Sequence, residues 1–523
     1  MSALASPKAV MKAPRPARVT PHSVAELASV VAAGLQVDQT SLAPDSRAVT
    51  GATLRAQDVR PGDLFAALPG ARAHGADFAE QAAASGAVAL LSDEEGVRRA
   101  RAAGIDLPAM VHPDPRSAIG PVSARIYGNP SSALRVLGVT GTSGKTTTCY
   151  LLDGGLRAAG VSTGLVGTVE TRVAGERLPS AFTTPEAPDL QALFAVMVER
   201  GVGHVAMEVS SHALSLGRVG GTEFAVGAFT NLSQDHLDFH LDLEDYFAAK
   251  AKLFDGRSRR EVVCVDGDWG SRLITPDTIT VSTTPGVDAS WTVRDARALP
   301  TGEQTFVAVG PDGVRLELLI RLPGPFNIAN ALVAVACLHE DGIPADAIAA
   351  GLASVDVPGR MERVVEGQPF VAMVDYSHKP GAVAAVLDAA RAQAEGRVLV
   401  VLGCGGERDT GKRPAMGSEA ARRADLVVVT DDNPRSEDPT SIRSEMLAGA
   451  LAVPSAQRGE IVEIGDRRAA ITEAVSRARP GDILVVAGKG HETGQQVGDL
   501  MLPFSDRDVL AEAIRDRETE EKR

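Results

Sequence analysis

The sequence predicts a multidomain α/β protein built on mostly parallel sheets. Three observations lead there. From residue 134 onward, short apolar runs alternate with helical periodicity, a pattern that needs a sheet covered by helices on both faces. The alternation restarts after Val357-Pro-Gly-Arg360, which implies a second doubly wound sheet. The chain has 523 residues, room for about three to four domains at roughly 150 residues each.

In order along the chain, residues 1–21 scatter Lys8, Lys12, Arg15 and Arg18 among Ala and Pro without an apolar run, the composition of a disordered tail and not of a signal peptide. Residues 22–133 mix short strands (63–67, 87–91) with Ala-rich helices (22–33, 78–85), a small α/β domain closed by the turn-rich linker Tyr127-Gly-Asn-Pro-Ser-Ser132. The second domain, 134–357, opens on strand 134–139. Helix 145–159, strand 161–167, helix 188–200, strands 204–209 and 224–230, helix 242–255 and strand 261–266 follow. Two alternating runs in 290–322, around Pro311-Asp-Gly313, signal an antiparallel hairpin before helices 326–341 and 344–354. The third domain, 358–523, carries strands 370–375, 397–402, 426–430 and 483–487 with helices 381–393, 413–424, 440–450, 466–478 and 506–516.

Composition removes several function classes. Lys plus Arg number 53 and Asp plus Glu 67, a formal charge of −14, which disfavours a nucleic-acid or anionic-membrane coat protein. Aromatics are 4% of the chain, too few for a base-stacking surface or an interfacial belt. Cys149, Cys264, Cys337 and Cys404 are widely spaced, which suits a reducing cytoplasm and neither a zinc nor a disulfide framework. No run of about 18 apolar residues is present to span a bilayer.

The strongest local signal is Gly141-Thr-Ser-Gly-Lys-Thr-Thr147, set between a strand and a helix. Glycines let backbone N–H groups approach phosphate oxygens, and the helix N-terminus favours anions. Lys145 can reach the β- and γ-phosphates and Thr146 can ligate Mg²⁺. Val139 stands where the strict phosphate-loop pattern wants its first Gly. Glu208 ends a buried apolar strand beside this loop, where an unpaired carboxylate is costly; it reads equally as a Mg²⁺ ligand or as an ion-paired acid. Ser210, Ser211 and His212 lack the G-x-S-x-G elbow of a serine hydrolase. Taken alone, His236 reads as a loop histidine and Lys250 as a lysine snorkelling from the face it shares with Tyr246 and Phe254. In the third domain, the loops 403–409, 430–435 and 488–492 follow successive strands, where an open α/β sheet forms its ligand crevice. Arg408 and Arg435 suit a carboxylate and Glu492 an ammonium, together a zwitterion; three solvated loops with ordinary ion pairs are the plain alternative.

GTSGKTT, MEVSSH, TNLSQDHLD, YFAAK, GPFNIANA, PGRME, DYSHKP, GCGGERD, DNPR and GKGHE occur in this order between residues 46 and 507. In this combination the sequence resembles the Mur ligase family, and within it the members that add diaminopimelate. The resemblance implies an N-terminal domain holding the UDP end of the substrate, a central P-loop-type ATPase domain and a C-terminal Rossmann-like domain bringing the amino acid. It implies a cytoplasmic, monomeric ligase of peptidoglycan precursor synthesis. Such a ligase joins diaminopimelate, in its meso form, to the D-Glu side-chain carboxylate of UDP-N-acetylmuramoyl-L-alanyl-D-glutamate through an acyl phosphate, using ATP and Mg²⁺.

Carried over by position, Gly141, Thr142, Ser143, Gly144, Lys145, Thr146 and Thr147 hold ATP, Asn330 lies on its adenine side, and Arg360 and Asp375 close on it. Thr146 and Glu208 take one Mg²⁺. His236 and Lys250 serve a second, Lys250 as a CO₂-derived carbamate in preference to Lys252, which points elsewhere on the helix. Lys145, Glu208, His236 and Lys250 form the catalytic set. Ser46 is the uridine-side serine, and Ala71-Arg-Ala73 departs from an HQA stretch of some members. Thr183, Thr184, Ser210, Leu216 and Arg218 face the muramoyl-dipeptide, with Leu216 where some members carry Gln. Arg408, Asp432, Asn433, Pro434, Arg435, Gly488 and Glu492 frame the amino acid. A folylpolyglutamate synthetase shares the style of MEVSSH and TNLSQDHLD but not DNPR and GKGHE. A non-catalytic nucleotide-binding regulator would not need Lys145, Glu208 and Lys250 together, and a GTPase switch would carry an N-K-x-D-type guanine motif, which is missing.

Overall fold

The computed structural model describes residues 13–36, 48–70, 72–178, 182–299, 302–407 and 409–521. An 11-stranded sheet dominates the middle of the chain. Its parallel centre runs in the order Thr163–Val166, His204–Glu208, Arg135–Thr140, Phe224–Phe229, Ser258–Cys264, Ile279–Ser282, Trp291–Ala298. Antiparallel strands finish both edges: Thr171–Val173 and Glu176–Leu178 on one side, Gln304–Val309 and Arg315–Ile320 on the other. The hairpin expected around Pro311–Gly313 is therefore the outer part of a three-stranded antiparallel extension of the main sheet.

Both faces of this sheet are buried, which is why its strands read as unbroken apolar runs. On one face Leu137 and Val139 meet Leu151 and Leu152 of helix Lys145–Ala158, with helices Pro325–Glu340 and Ala345–Ala353 behind it through Leu332, Val335, Ile348 and Leu352. On the other, Val136, Val205 and Met207 pack against Leu190, Phe194 and Met197 of helix Ala187–Glu199.

A six-stranded sheet follows, in the order Glu362–Val364, Val371–Asp375, Ile483–Ala487, Val398–Leu402, Leu426–Val429, Glu460–Glu463, with only the first pairing antiparallel. Helices Pro380–Arg391, Lys412–Arg423 and Pro439–Ala452 cover one face, and Arg467–Arg477 and Asp506–Glu521 the other. Towards the N-terminus, five short strands pair in the order Gly34–Gln36, Ala109–Val111, Ala89–Ser92, Asp63–Ala66, Gly51–Thr53. Helices Glu94–Ala102 and Pro115–Ile126 in this region went unforeseen, since charged residues and an internal Pro121 blur their apolar period.

Residues 13–21 differ from the expected tail. Arg15 forms an ion pair with buried Asp63 and donates to the Ala52 carbonyl, and the Ala17 and Arg18 N–H groups donate to Glu199. Among the described residues, no helix is long and apolar enough to cross a membrane.

Candidate active site

Parallel register sets the site. Val139 lies level with Glu208 on one side and Ala228 on the other, so three strands end together where the phosphate loop begins. Gly144 caps the following helix at φ +88°, a left-handed conformation, and a Cβ there would sit 2.2 Å from Asn330 Oδ1. The loop is tied down from the next strand end. Ser143 N–H donates to Asn231 Oδ1 at 3.0 Å, Thr230 Oγ1 donates to the Ser143 carbonyl at 2.7 Å, and Thr142 Oγ1 meets the Tyr246 hydroxyl at 3.2 Å.

Two lysines converge on one backbone oxygen. Lys145 Nζ and Lys250 Nζ each donate to the Gly141 carbonyl at 2.8 Å, and Lys145 also reaches that of Thr142 at 3.1 Å. Lys250 is fully buried, 4.3 Å from the centre of the Tyr246 ring. Burial and then the neighbouring Lys379 push Lys145 down to about 8. Burial, with Lys145 and Lys379 nearby, holds Lys250 well below the ordinary lysine range. Lys252 is exposed.

Glu208 is buried among hydroxyls: Thr146 Oγ1 donates to it at 3.0 Å, Thr168 N–H at 2.8 Å and Thr168 Oγ1 at 3.1 Å. This adjacent hydroxyl and carboxylate form an oxygen donor set of the kind a hard divalent cation takes, so the residues fit Mg²⁺. His236 is not drawn into direct partnership with them; its Nε2 lies 3.0 Å from Asp235 Oδ2 and its ring 6.1 Å from that of Tyr246. Burial and nearby cations hold His236 below its ordinary value, so it presents a neutral imidazole. Among the described residues, no three His, Cys, Asp or Glu side chains cluster as metal ligands.

Lys145, Thr146, Thr168, Glu208 and His236 line a cavity of about 770 Å³ between the large sheet and the third domain. Asn330 lies on its wall with its amide held by Asn327 at 3.0 Å. Arg360 reaches in over the Tyr376 ring, 4.3 Å from its centre, and its guanidinium donates to Thr146 Oγ1 at 3.3 Å. Asp375 braces this approach. It accepts from Met361 N–H at 2.8 Å, from Ser377 N–H at 2.7 Å and from the Ser377 hydroxyl, while burial holds its carboxyl above the usual range.

At the neighbouring strand end, Thr184 Oγ1 donates to the Glu208 carbonyl at 2.9 Å and Thr183 meets Thr168 at 3.0 Å. Ser210 caps the short helix Ser211–Ser215, and Leu216 ends it half-buried. Arg218 pairs with Glu186 at 2.8 Å and lies over the Phe182 ring. Ser46, Ala71 and Arg408 lie outside the described residues.

In the third domain, Asn433 Oδ1 accepts from Lys489 Nζ at 2.9 Å, and its Nδ2 donates to Glu492 at 3.0 Å. Lys489 also pairs with Glu492 at 3.2 Å. Gly488 has φ +119°, and a Cβ there would sit 2.5 Å from Asp432 Oδ2. Arg435, in the left-handed region at φ +54° after Pro434, turns its guanidinium to the Gly406 carbonyl. None of these residues lines the cavity; His491 links the two areas, its ring 5.1 Å from that of Tyr376.

Sequence reasoning did not single out Thr168, Asp235, Lys379 or Lys489. Thr168 follows a short strand and carries no motif. The two lysines sat inside quoted strings, DYSHKP and GKGHE, whose partners lie far away in sequence.

Residues 48–118 match the Mur ligase family catalytic domain, 139–338 the Mur ligase middle domain and 359–490 the Mur ligase glutamate ligase domain. The UDP-N-acetylmuramoyl-L-alanyl-D-glutamate–2,6-diaminopimelate ligase of Streptomyces coelicolor is 53% identical over 509 residues, covering 96% of this chain and 98% of that protein. The protein of that name from Corynebacterium glutamicum is 52% identical over 462 residues, covering 87% and 89%. A solved structure of a ligase of that name has a TM-score of 0.67 at 29% identity, covering 95% of this chain and 100% of the other. A Mycobacterium tuberculosis folylpolyglutamate synthase complexed with ADP and AMPPCP has a TM-score of 0.55 at 19% identity, covering 77% and 94%, a likeness of fold alone.

Proposed function

The chain belongs to the Mur ligase family, and from that premise we infer that it joins diaminopimelate to the D-Glu side-chain carboxylate of UDP-N-acetylmuramoyl-L-alanyl-D-glutamate at the expense of ATP. The observation that carries the reading is the 53% identity to a ligase of that name over 96% of the chain. The geometry agrees with it: a phosphate loop, a Thr146–Glu208 oxygen pair and the third domain's Arg360 meet in one cavity. Residues 22–133 hold the UDP end, 134–357 hold ATP and 358–523 bring the amino acid. The reading places the reaction in the cytoplasm, where ATP and the UDP-linked precursor are found, and needs no second copy of the chain.

Phosphoryl transfer asks mainly for positioning and positive charge. The nucleotide's phosphates take the place of the Gly141 and Thr142 carbonyls as partners of Lys145. Thr146 and Glu208 would hold Mg²⁺, which supplies charge neutralisation at the β- and γ-phosphates. An oxygen of the D-Glu carboxylate bonds to the γ-phosphorus and ADP departs. The amine of diaminopimelate then attacks the acyl carbon through a tetrahedral intermediate, and phosphate leaves. In the third domain Arg435 pairs with the distal carboxylate of diaminopimelate while Arg408, Gly488 and Glu492 frame the same end; lysine, lacking that carboxylate, would leave Arg435 unpaired.

Lys250 is the carbamate carrier in this reading. An amine held well below its ordinary range is neutral enough to add to CO₂, forming an N–C bond and releasing one proton. The product is a carboxylate on a long arm beside the phosphate loop. Lys250→Ala is expected to lose activity and regain part of it with added short carboxylates; undiminished turnover in that variant sinks the assignment. The reading as a whole is tested by phosphate release with Mg-ATP, the UDP-muramoyl-dipeptide and a panel of meso-diaminopimelate, LL-diaminopimelate, lysine and ornithine. Meso-diaminopimelate is expected to lead, and equal turnover with lysine refutes the assignment.

A further inference from the structure

Lys379 stands just before helix Pro380–Arg391 of the third domain, yet its partners lie in the second. Its Nζ is 2.5 Å from Asp235 Oδ2 and 3.5 Å from the Thr142 carbonyl of the phosphate loop. The two side chains keep only 14% and 11% of their surface exposed, and Lys379 lines the cavity. Three cationic side chains thus gather at one end of this cavity: Lys145 on the Gly141 carbonyl, Arg360 on Thr146, and Lys379. The carboxylates that face them are Glu208, Asp235 and, beside Arg360, Asp375. Lys379 is the one held by an acid across the boundary between domains.

A buried ion pair adds little net stability over an apolar contact of the same shape, so a clamp between domains is a poor account of this one. A cation in the cavity beside the phosphate loop is what a transferred phosphoryl group requires. We propose that Lys379 is a catalytic residue, the cation that the third domain delivers to the transferred phosphoryl group, with Asp235 as the counter-ion it leaves when nucleotide arrives. The proposal rests on the ligase reading given above. In that reaction a D-Glu carboxylate oxygen forms its bond to the γ-phosphorus as the bond from phosphorus to the β,γ-bridging oxygen breaks, and ADP leaves with the electron pair. Lys379 forms no covalent bond; its N–H groups meet charge on the equatorial phosphoryl oxygens. Because the charge travels with the third domain, phosphoryl transfer is favoured only while the domains are closed, which guards ATP against water in the open form.

The test uses the full-length enzyme with Lys379→Met and Lys379→Arg. Binding of Mg-ADP and of a non-hydrolysable Mg-ATP analogue is measured by calorimetry, and kcat by phosphate release. Lys379→Met is expected to lower kcat by roughly 10²- to 10³-fold, the usual loss for one donor to developing charge. It should weaken the ATP analogue at least about tenfold more than ADP, and Lys379→Arg should recover a substantial part of both losses. A clamp would weaken ADP and the analogue equally. That result, or kcat within threefold of wild type in Lys379→Met, overturns the proposal. If Lys379→Met fails to fold, the analogue-to-ADP affinity ratio in Lys379→Arg decides: a ratio unchanged from wild type rejects the phosphate contact. Failure of the wild type to use diaminopimelate would reject the ligase reading alone, since the two binding measurements still decide the role of Lys379.

Discussion

Replacing Lys489 by Met withdraws a fully buried cation from a cluster built around it. Its Nζ contacts Asn433 Oδ1 at 2.9 Å and Glu492 at 3.2 Å, with Asp432 at 3.9 Å. Removing one partner of a buried pair costs about 3–5 kcal/mol, because the remaining charge stays in a poor solvent. Glu492 keeps 32% of its side chain exposed, so water screens its share; Asp432 keeps 9%. A loss of about 2–3 kcal/mol in local stability is therefore expected, which is roughly a 30- to 150-fold increase in opening. The chain has several domains, so one global unfolding midpoint is a poor measure. Hydrogen exchange followed by mass spectrometry over 430–435 and 484–497 reads the local effect. The KM for diaminopimelate should rise, because Asn433 loses the bond that orients its amide; Gln496 N–H, at 2.9 Å from the same oxygen, remains. Adding Glu492→Gln to Lys489→Met should restore about 1 kcal/mol by removing the orphaned charge. Exchange within twofold of wild type, or a double variant no better than the single one, would refute this reasoning.

Two further outcomes are expected. Arg435→Ala should cripple use of diaminopimelate while leaving ATP affinity near normal, as measured by KM and calorimetry; parallel losses in both would count against a role confined to the amino acid. For Lys145, the folded value of about 8 lies below its ordinary 10.5, so between these the unfolded chain binds more protons and stability rises with pH. The burial penalty is fully present below about pH 8 and disappears towards 10.5. Bound phosphates raise the same group, so nucleotide should bind with proton uptake near pH 8–9 and lose affinity as pH rises. Calorimetry in buffers of different ionisation enthalpy measures that uptake, and none at all would rule it out.

What the sequence discloses depends on how local the cause is. The loop Gly141–Thr147 was legible because strand, glycines and helix N-terminus are contiguous. Glu208 beside Thr146 was legible one level up, since parallel strands end together at the same side of the sheet. Lys379 against Asp235 was not, because a contact between domains has no period or spacing along the chain. The N-terminal strands are two to four residues long, shorter than any window in which alternation can be recognised. Arg15 failed for a different reason. A cation among Ala and Pro looks like a solvated tail until the buried acid that receives it, Asp63, is seen.

The packing of helix Lys145–Ala158 against helices Pro325–Glu340 and Ala345–Ala353 has a consequence for synthesis. Part of the apolar surface of the nucleotide-binding helix is covered by segments made about two hundred residues later. At 5–20 residues per second, a ribosome needs roughly 10–40 s to supply them. During that interval Leu151, Leu152 and Leu156 have no partner from the later helices, a face suited to transient chaperone capture. Nascent chains arrested near residue 320 should be cut by protease within 145–158, whereas chains arrested well past 353 should resist. This protein is therefore most vulnerable while it is being made, at the very helix that later grips its nucleotide.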